Sequence, residues 1–108
     1  TKNMPEVGYL IPKSLKNRWN LLIGPSKKIL PNLLSELSDL DIFIHDSRHS
    51  FSNQLYEYET SWSSIKNQGF LISDDISNDA FINFSKKNGK DHILIKQNKK
   101  FPIGIIKK

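Results

Sequence analysis

Apolar positions along the chain switch between two periods. Asn20–Ile23 is a short apolar run that predicts a buried strand, closed by Gly24 and Pro25. Ser26 then suits an N-cap, and Ile29, Leu30, Leu33, Leu34 and Leu37 fall on one helical face, predicting a helix from about Lys27 to Ser38. Pro31 lies near its first turn, where a missing N–H costs little. Asp41–His45 reads as a second strand, apolar through its middle, as a strand covered on both faces would be. Phe51, Leu55, Tyr58, Trp62 and Ile65 form the most regular helical stripe of the chain. Gly69 ends that helix and Phe70–Ser73 follows as a strand. Ser77 can cap a helix to about Lys87 that presents Ala80, Phe81 and Phe84. Two last apolar runs, His92–Lys96 and Phe101–Ile106, are joined by a short polar stretch that suits a hairpin. Thr1–Asn17, broken by Pro5, Gly8 and Pro12, predicts irregular structure.

Strands that alternate with helices and end in a hairpin predict one α/β domain with a mainly parallel sheet and one antiparallel strand. Right-handed crossovers predict helices on both of its faces. Ligands of such sheets bind beyond the carboxyl ends of the strands. Two of those ends carry chemistry: Asp46–Ser50, with His49 three residues after Asp46, and Asp74-Asp75. Parallel neighbours lie about 4.8 Å apart. Carboxylates from both ends can therefore converge on one hard cation, which takes oxygen ligands. Three carboxylates that close would otherwise repel one another. The alternative is that Asp46 and Asp75 cap the helices that follow them. His49 has the acid–base character to take a proton from a hydroxyl, or it is an exposed or capping histidine. His45 reads as a sheet residue, and His92 opens a late strand with no assigned role.

Composition adjusts this picture little. Sixteen basic against eleven acidic residues give a net charge of +5. The lysines are spread in small groups, such as Lys27-Lys28 and Lys86-Lys87, which reads as a solvated surface rather than a nucleic-acid groove. No apolar run approaches the length of a membrane span. The chain has no cysteine, which excludes disulfides and thiolate metal sites and fits a reducing, cytoplasmic compartment.

The motifs carry a more specific resemblance. Asp41–Ser50 (D-I-F-I-H-D-S-R-H-S) resembles the strand-four motif of class I S-adenosylmethionine-dependent methyltransferases. The nearest branch ends that strand in a D-G-D-H-S-Y type of sequence, here D-S-R-H-S-F over Asp46–Phe51. Ile65–Ile76 (I-K-N-Q-G-F-L-I-S-D-D-I) is similar to the same branch's L-K-P-G-G-x-L-I-x-x-D-D motif. Trp19–Ser26 looks like strand three and its G-D-S turn, and the final hairpin like strands six and seven. The resemblance implies a Rossmann-like methyltransferase sheet, mostly parallel with a C-terminal antiparallel hairpin, incomplete because strands one and two are absent. Residues 1–108 are then a single partial domain, the C-terminal part of that fold.

The resemblance further implies S-adenosylmethionine as cofactor and a sugar or other small-molecule hydroxyl as acceptor. Asp46, Asp74 and Asp75 match acidic positions that hold Mg²⁺ or a similar divalent cation in metal-dependent O-methyltransferases. His49 matches a general base, and Ser26 and Asp46 fall on the cofactor's side. The chain also departs from the family. It has no Gly-rich loop for the cofactor's methionine part and no acidic residue after a second strand for its ribose. Pro25 stands where an aspartate often faces the adenine, Arg48 replaces a frequent acidic residue, and Gln68 stands at the first glycine of the usual P-G-G. A chain that is part of a longer protein accounts for these gaps, and so does a reduced domain whose open sheet edge serves a homo-oligomer.

Overall fold

The computed structural model describes residues 4–108; Thr1–Asn3, at the start of the stretch expected to be irregular, lie outside the described residues. Turns and a 3-10 helix, Lys13–Arg18, occupy the start of the described chain. The elements that follow are α1 (Ser26–Glu36), β1 (Leu40–His45), α2 (Phe51–Trp62), β2 (Ile65–Ser73), α3 (Ala80–Lys87), β3 (His92–Ile95) and β4 (Ile103–Lys107). The four strands form one sheet in the order β1-β2-β4-β3. β1 pairs parallel with β2, β4 pairs antiparallel with β2, and β3 pairs antiparallel with β4. Three strands thus run one way and β4 runs against them, the small mixed α/β sheet of a Rossmann-like fragment.

The core follows from strand parity. Phe43, Leu71 and Ile106 share one face of the sheet through the pairs Phe43↔Leu71↔Ile106. Tyr58 of α2 and Ala80, Phe81 and Phe84 of α3 close over that face, and Tyr58, Leu71, Ala80 and Ile106 are fully buried. The Tyr58 hydroxyl shares a 2.5 Å hydrogen bond with the Ser73 hydroxyl, so its polar end is satisfied inside the core. Gly104 sits beneath the Phe81 ring, where any Cβ would collide with it. α1 packs on α2, and its Leu30 and Leu34 are buried.

Three expectations are corrected. Asn20–Ile23 forms no strand: it is unpaired, Leu21, Leu22 and Ile23 are exposed, and Leu21 and Leu22 lie beside Ile29, Leu30 and Leu33 of α1. A strand needs a neighbour for its backbone, and β1 has a free edge among the described residues. The helices do not cover both faces. Successive right-handed crossovers that advance in one direction place their helices on the same side, and here β1, β2 and β3 advance one way. Ile42, Ile44, Ile93 and Ile95, on the opposite face, are therefore exposed. Finally, α2 ends at Trp62 and Ile65 opens β2, which reaches back further than Phe70. Between Ile65 and Phe70 the register with β1 slips, and Gln68 turns through a φ of 71°. That left-handed conformation favours glycine, which gives a physical reason for the glycine usual at this position.

Candidate functional site

β1 and β2 run parallel, with His45 opposite Ser73, so the residues after each emerge side by side. The Asp74 N–H donates to the His45 carbonyl at 2.9 Å and carries the pairing one step beyond the strands. Asp75 then turns through a left-handed φ of 44°. Across from it the loop after β1 carries Asp46 and His49 before α2 begins.

The four residues singled out by sequence meet here. His49 Nε2 lies 3.7 Å from Asp46 Oδ1 and 4.0 Å from Asp74 Oδ2, and His49 Nδ1 lies 4.0 Å from Asp75 Oδ2. None of these is a hydrogen-bond distance. Asp46 is largely exposed, His49 and Asp75 are half-buried, and Asp74 is the most covered of the set. Lys99, from the β3–β4 turn, places its Nζ 3.7 Å from Asp74 Oδ1. Burial, together with the hydrogen bond and charge of Asp74, raises the Asp46 carboxyl above its ordinary range. For Asp74, burial would also raise the value, but the bond from Asp46, the Lys99 charge and Gln97 together lower it. Such a split between adjacent acids is that of a pair in which one holds a proton more readily than the other.

Capping does not explain these aspartates. Ser50 caps α2, accepting from the Asn53 N–H at 3.3 Å. At the start of α3 the Asn78 side chain accepts from the Ala80 N–H at 2.9 Å, and Ser77 caps nothing. Neither Asp46 nor Asp75 has a capping role.

Three of the four side chains are close enough together to share one ion, and Asp75 is not in that group. Ligand atoms of Asp46, His49 and Asp74 all lie within 4.8 Å of one another, a separation that one ion with bonds of about 2.0–2.6 Å can span. His49 Nε2 is moreover buried without any hydrogen-bond partner, an orphaned polar atom facing two carboxylates.

Beside this cluster a cleft of about 460 Å³ opens between the start of α1 and the loop after β1, lined by Gly24, Pro25 and Ser26 on one side and Ser47, Arg48 and Asn53 on the other. Ser26 is the first residue of α1 rather than its cap. Asp46 is not among the lining residues.

Sequence reasoning missed the network behind the loop. Glu57 is only 4% exposed, although it lies on a helix beside an apolar stripe, where a charged residue reads as solvated. Its Oε1 accepts from His45 Nδ1 at 2.9 Å, and its Oε2 accepts from the Ser47 hydroxyl at 2.6 Å and from Asn53 Nδ2 at 3.1 Å. Burial alone would raise the Glu57 carboxyl, but the bonds from His45, Ser47 and Ser26 outweigh it and hold the group at about 2. Glu57 is therefore ionised, and the His45 proton resides on Nδ1. The available signal was weak: Asn53 and Glu57 are four residues apart on the helix face that carries the loop.

A comparison with protein families decides the affiliation. The model of a family described as a methyltransferase domain matches residues 2–76. The chain belongs to this methyltransferase-domain family. The matched stretch includes Ser26, Asp46, His49, Asp74 and Asp75, and it ends just before α3. No curated protein matches the chain. Among the described residues of this methyltransferase-family chain, no helix is long and apolar enough to cross a membrane.

Proposed function

We propose that the chain supplies the acceptor side of an S-adenosylmethionine-dependent O-methyltransferase. The observation that carries this reading is the convergence of Asp46, His49, Asp74 and Asp75 at two adjacent parallel strand ends in a chain of the methyltransferase-domain family. Methyl transfer is an in-line displacement, so the protein's task is to hold the acceptor oxygen in line and remove its proton. His49 takes that proton on its half-buried ring, and the carboxylates around it balance the charge it gains. Asp46, Asp74 and Asp75 would hold Mg²⁺ or a similar cation, with Asp46 and Asp74 already within reach of one ion. When bound, that ion supplies Lewis-acid activation of the acceptor hydroxyl. The half-exposed rim leaves room for a sugar or other small-molecule hydroxyl. Ser26, Ser47 and Arg48 border the cleft next to it, on the side where the cofactor would lie.

The chain's five glycines form no G-x-G turn, and no strand occupies the free edge of β1 among the described residues. The cofactor's methionine part and ribose thus lack their usual partners here. Calorimetry on the 108-residue chain separates the two halves of the claim. Mn²⁺ binds the wild type and binds Asp75→Asn at least ten-fold more weakly, while S-adenosylmethionine gives no saturable heat. Asparagine tolerates the left-handed backbone at this position, so the variant removes charge without a new strain. Equal Mn²⁺ affinity in the two proteins would remove the cation, and tight cofactor binding would remove the division into halves.

A second reading, a non-catalytic binding or dimerisation module, is favoured by the uncovered apolar face and the open β1 edge. It predicts a concentration-dependent dimer in sedimentation; a monomer at all concentrations counts against it.

A further inference from the structure

The loop after β1 carries both Asp46 and His49, yet His49 does not fasten it: its contacts with the surrounding carboxylates, at 3.7–4.0 Å, are longer than hydrogen bonds. What fastens it is behind it. Glu57 accepts the Ser47 hydroxyl, and Asn53, bonded to Glu57, also donates to Ser47 Oγ at 3.1 Å and to the Arg48 carbonyl at 2.9 Å. Ser47 and Arg48 are the two residues between Asp46 and His49. The other Glu57 oxygen holds His45, the last residue of β1, whose ring stands edge-on to His49 with centroids 5.5 Å apart. One buried carboxylate therefore ties the strand end, the loop and the first turn of α2 into a single unit.

We propose that Glu57 is a positioning residue of the acceptor site, setting the places of Asp46 and His49 through Ser47, Asn53 and His45. This rests on the reading of Asp46 and His49 as acceptor-side groups. The chemistry requires an anion at this position. His45, Ser47 and Asn53 all present donors, so a glutamine can accept from the His45 side or from the Ser47–Asn53 side, but turns its own N–H₂ against the other. A leucine would leave the buried His45 Nδ1 unpaired and release the Ser47 hydroxyl from α2. Glu57 touches no reacting group, and its ionisation, held by the same donors, keeps the unit intact at neutral pH.

The test is NMR on the 108-residue chain with Glu57→Gln and, as a milder second variant, Ser47→Ala. Resonances of Tyr58, Phe81 and Phe84 report whether the core is kept. With the core kept, Glu57→Gln is expected to lower the backbone order parameters of Ser47–His49 from about 0.85 towards 0.6, to shift the His49 ring resonances, and to weaken Mn²⁺ binding about ten-fold. Ser47→Ala moves the same readouts in the same direction by less. A role limited to stability would lower the unfolding midpoint and leave loop order and the His49 ring unchanged well below it, and that result overturns the proposal. If Glu57→Gln does not fold, Ser47→Ala decides. Loop order and the His49 ring need no cation, so the two claims fail separately. A loosened loop in a chain that ignores Mn²⁺ sinks the methyl-transfer reading alone. Unchanged loop order beside Asp75-dependent Mn²⁺ binding sinks the role of Glu57 alone.

Discussion

Glu57 and Asp75 show at the scale of single residues how differently a sequence discloses its charges. Asp46, His49, Asp74 and Asp75 could be picked out because they follow apolar runs, and a parallel pair brings the residues after its strands together whatever else the fold does. Glu57 could not. On a helix a charged residue next to an apolar stripe reads as solvated, and the contacts that bury it, with His45, Ser47 and Ser26, come from other elements. Its hydrogen bonds have a consequence for acid stability. In the folded chain the carboxyl stays ionised down to about 2, against an ordinary value of 4.5. A depressed folded value contributes stability that is present above pH 4.5 and is lost as pH falls towards 2. The difference amounts to on the order of 3 kcal/mol. Urea unfolding is therefore expected to show Glu57→Gln well below wild type at pH 7, with the gap closing by about pH 2. A gap of the same size at both ends would contradict the ionised, hydrogen-bonded state of Glu57.

At the scale of elements, β1, α2 and the closing hairpin were legible because each carries its own period or turn and finds its partner nearby in sequence. The strand expected at Asn20–Ile23 failed for the complementary reason. An apolar run becomes a strand only when another strand pairs with it, and none does so among the described residues. Gly104 in β4 was unremarkable in sequence, yet it lies opposite Ser73 and under Phe81, where a side chain cannot fit. Gly104→Ala is expected to cost about 1–3 kcal/mol through overpacking against the ring. Thermal unfolding of the single variant and of Gly104→Ala with Phe81→Leu checks this, because trimming the ring should recover part of the loss. A double variant no more stable than the single one would place the strain elsewhere.

At the scale of the molecule, the α/β class was readable from alternation, but the distribution of helices was not. Coverage of both faces needs a reversal in the order of strands, and order is a property of pairing, not of local pattern. The result is a sheet with one face packed by α2 and α3 and the other lined by exposed isoleucines. Its rim carries the acidic cluster at one place, beside a cleft bounded by Ser26 and Arg48. The chain thus has an acidic rim and no G-x-G turn. Everything proposed for its chemistry depends on that rim being a cation and acceptor site. Paramagnetic broadening by substoichiometric Mn²⁺ in the amide spectrum of the 108-residue chain tests this directly. The account predicts early loss of the signals of Asp46, His49, Asp74 and Asp75 and their immediate neighbours, with Asp39, Asp41 and Asp91 unaffected. Uniform broadening, or first losses at those three outlying aspartates, would contradict it.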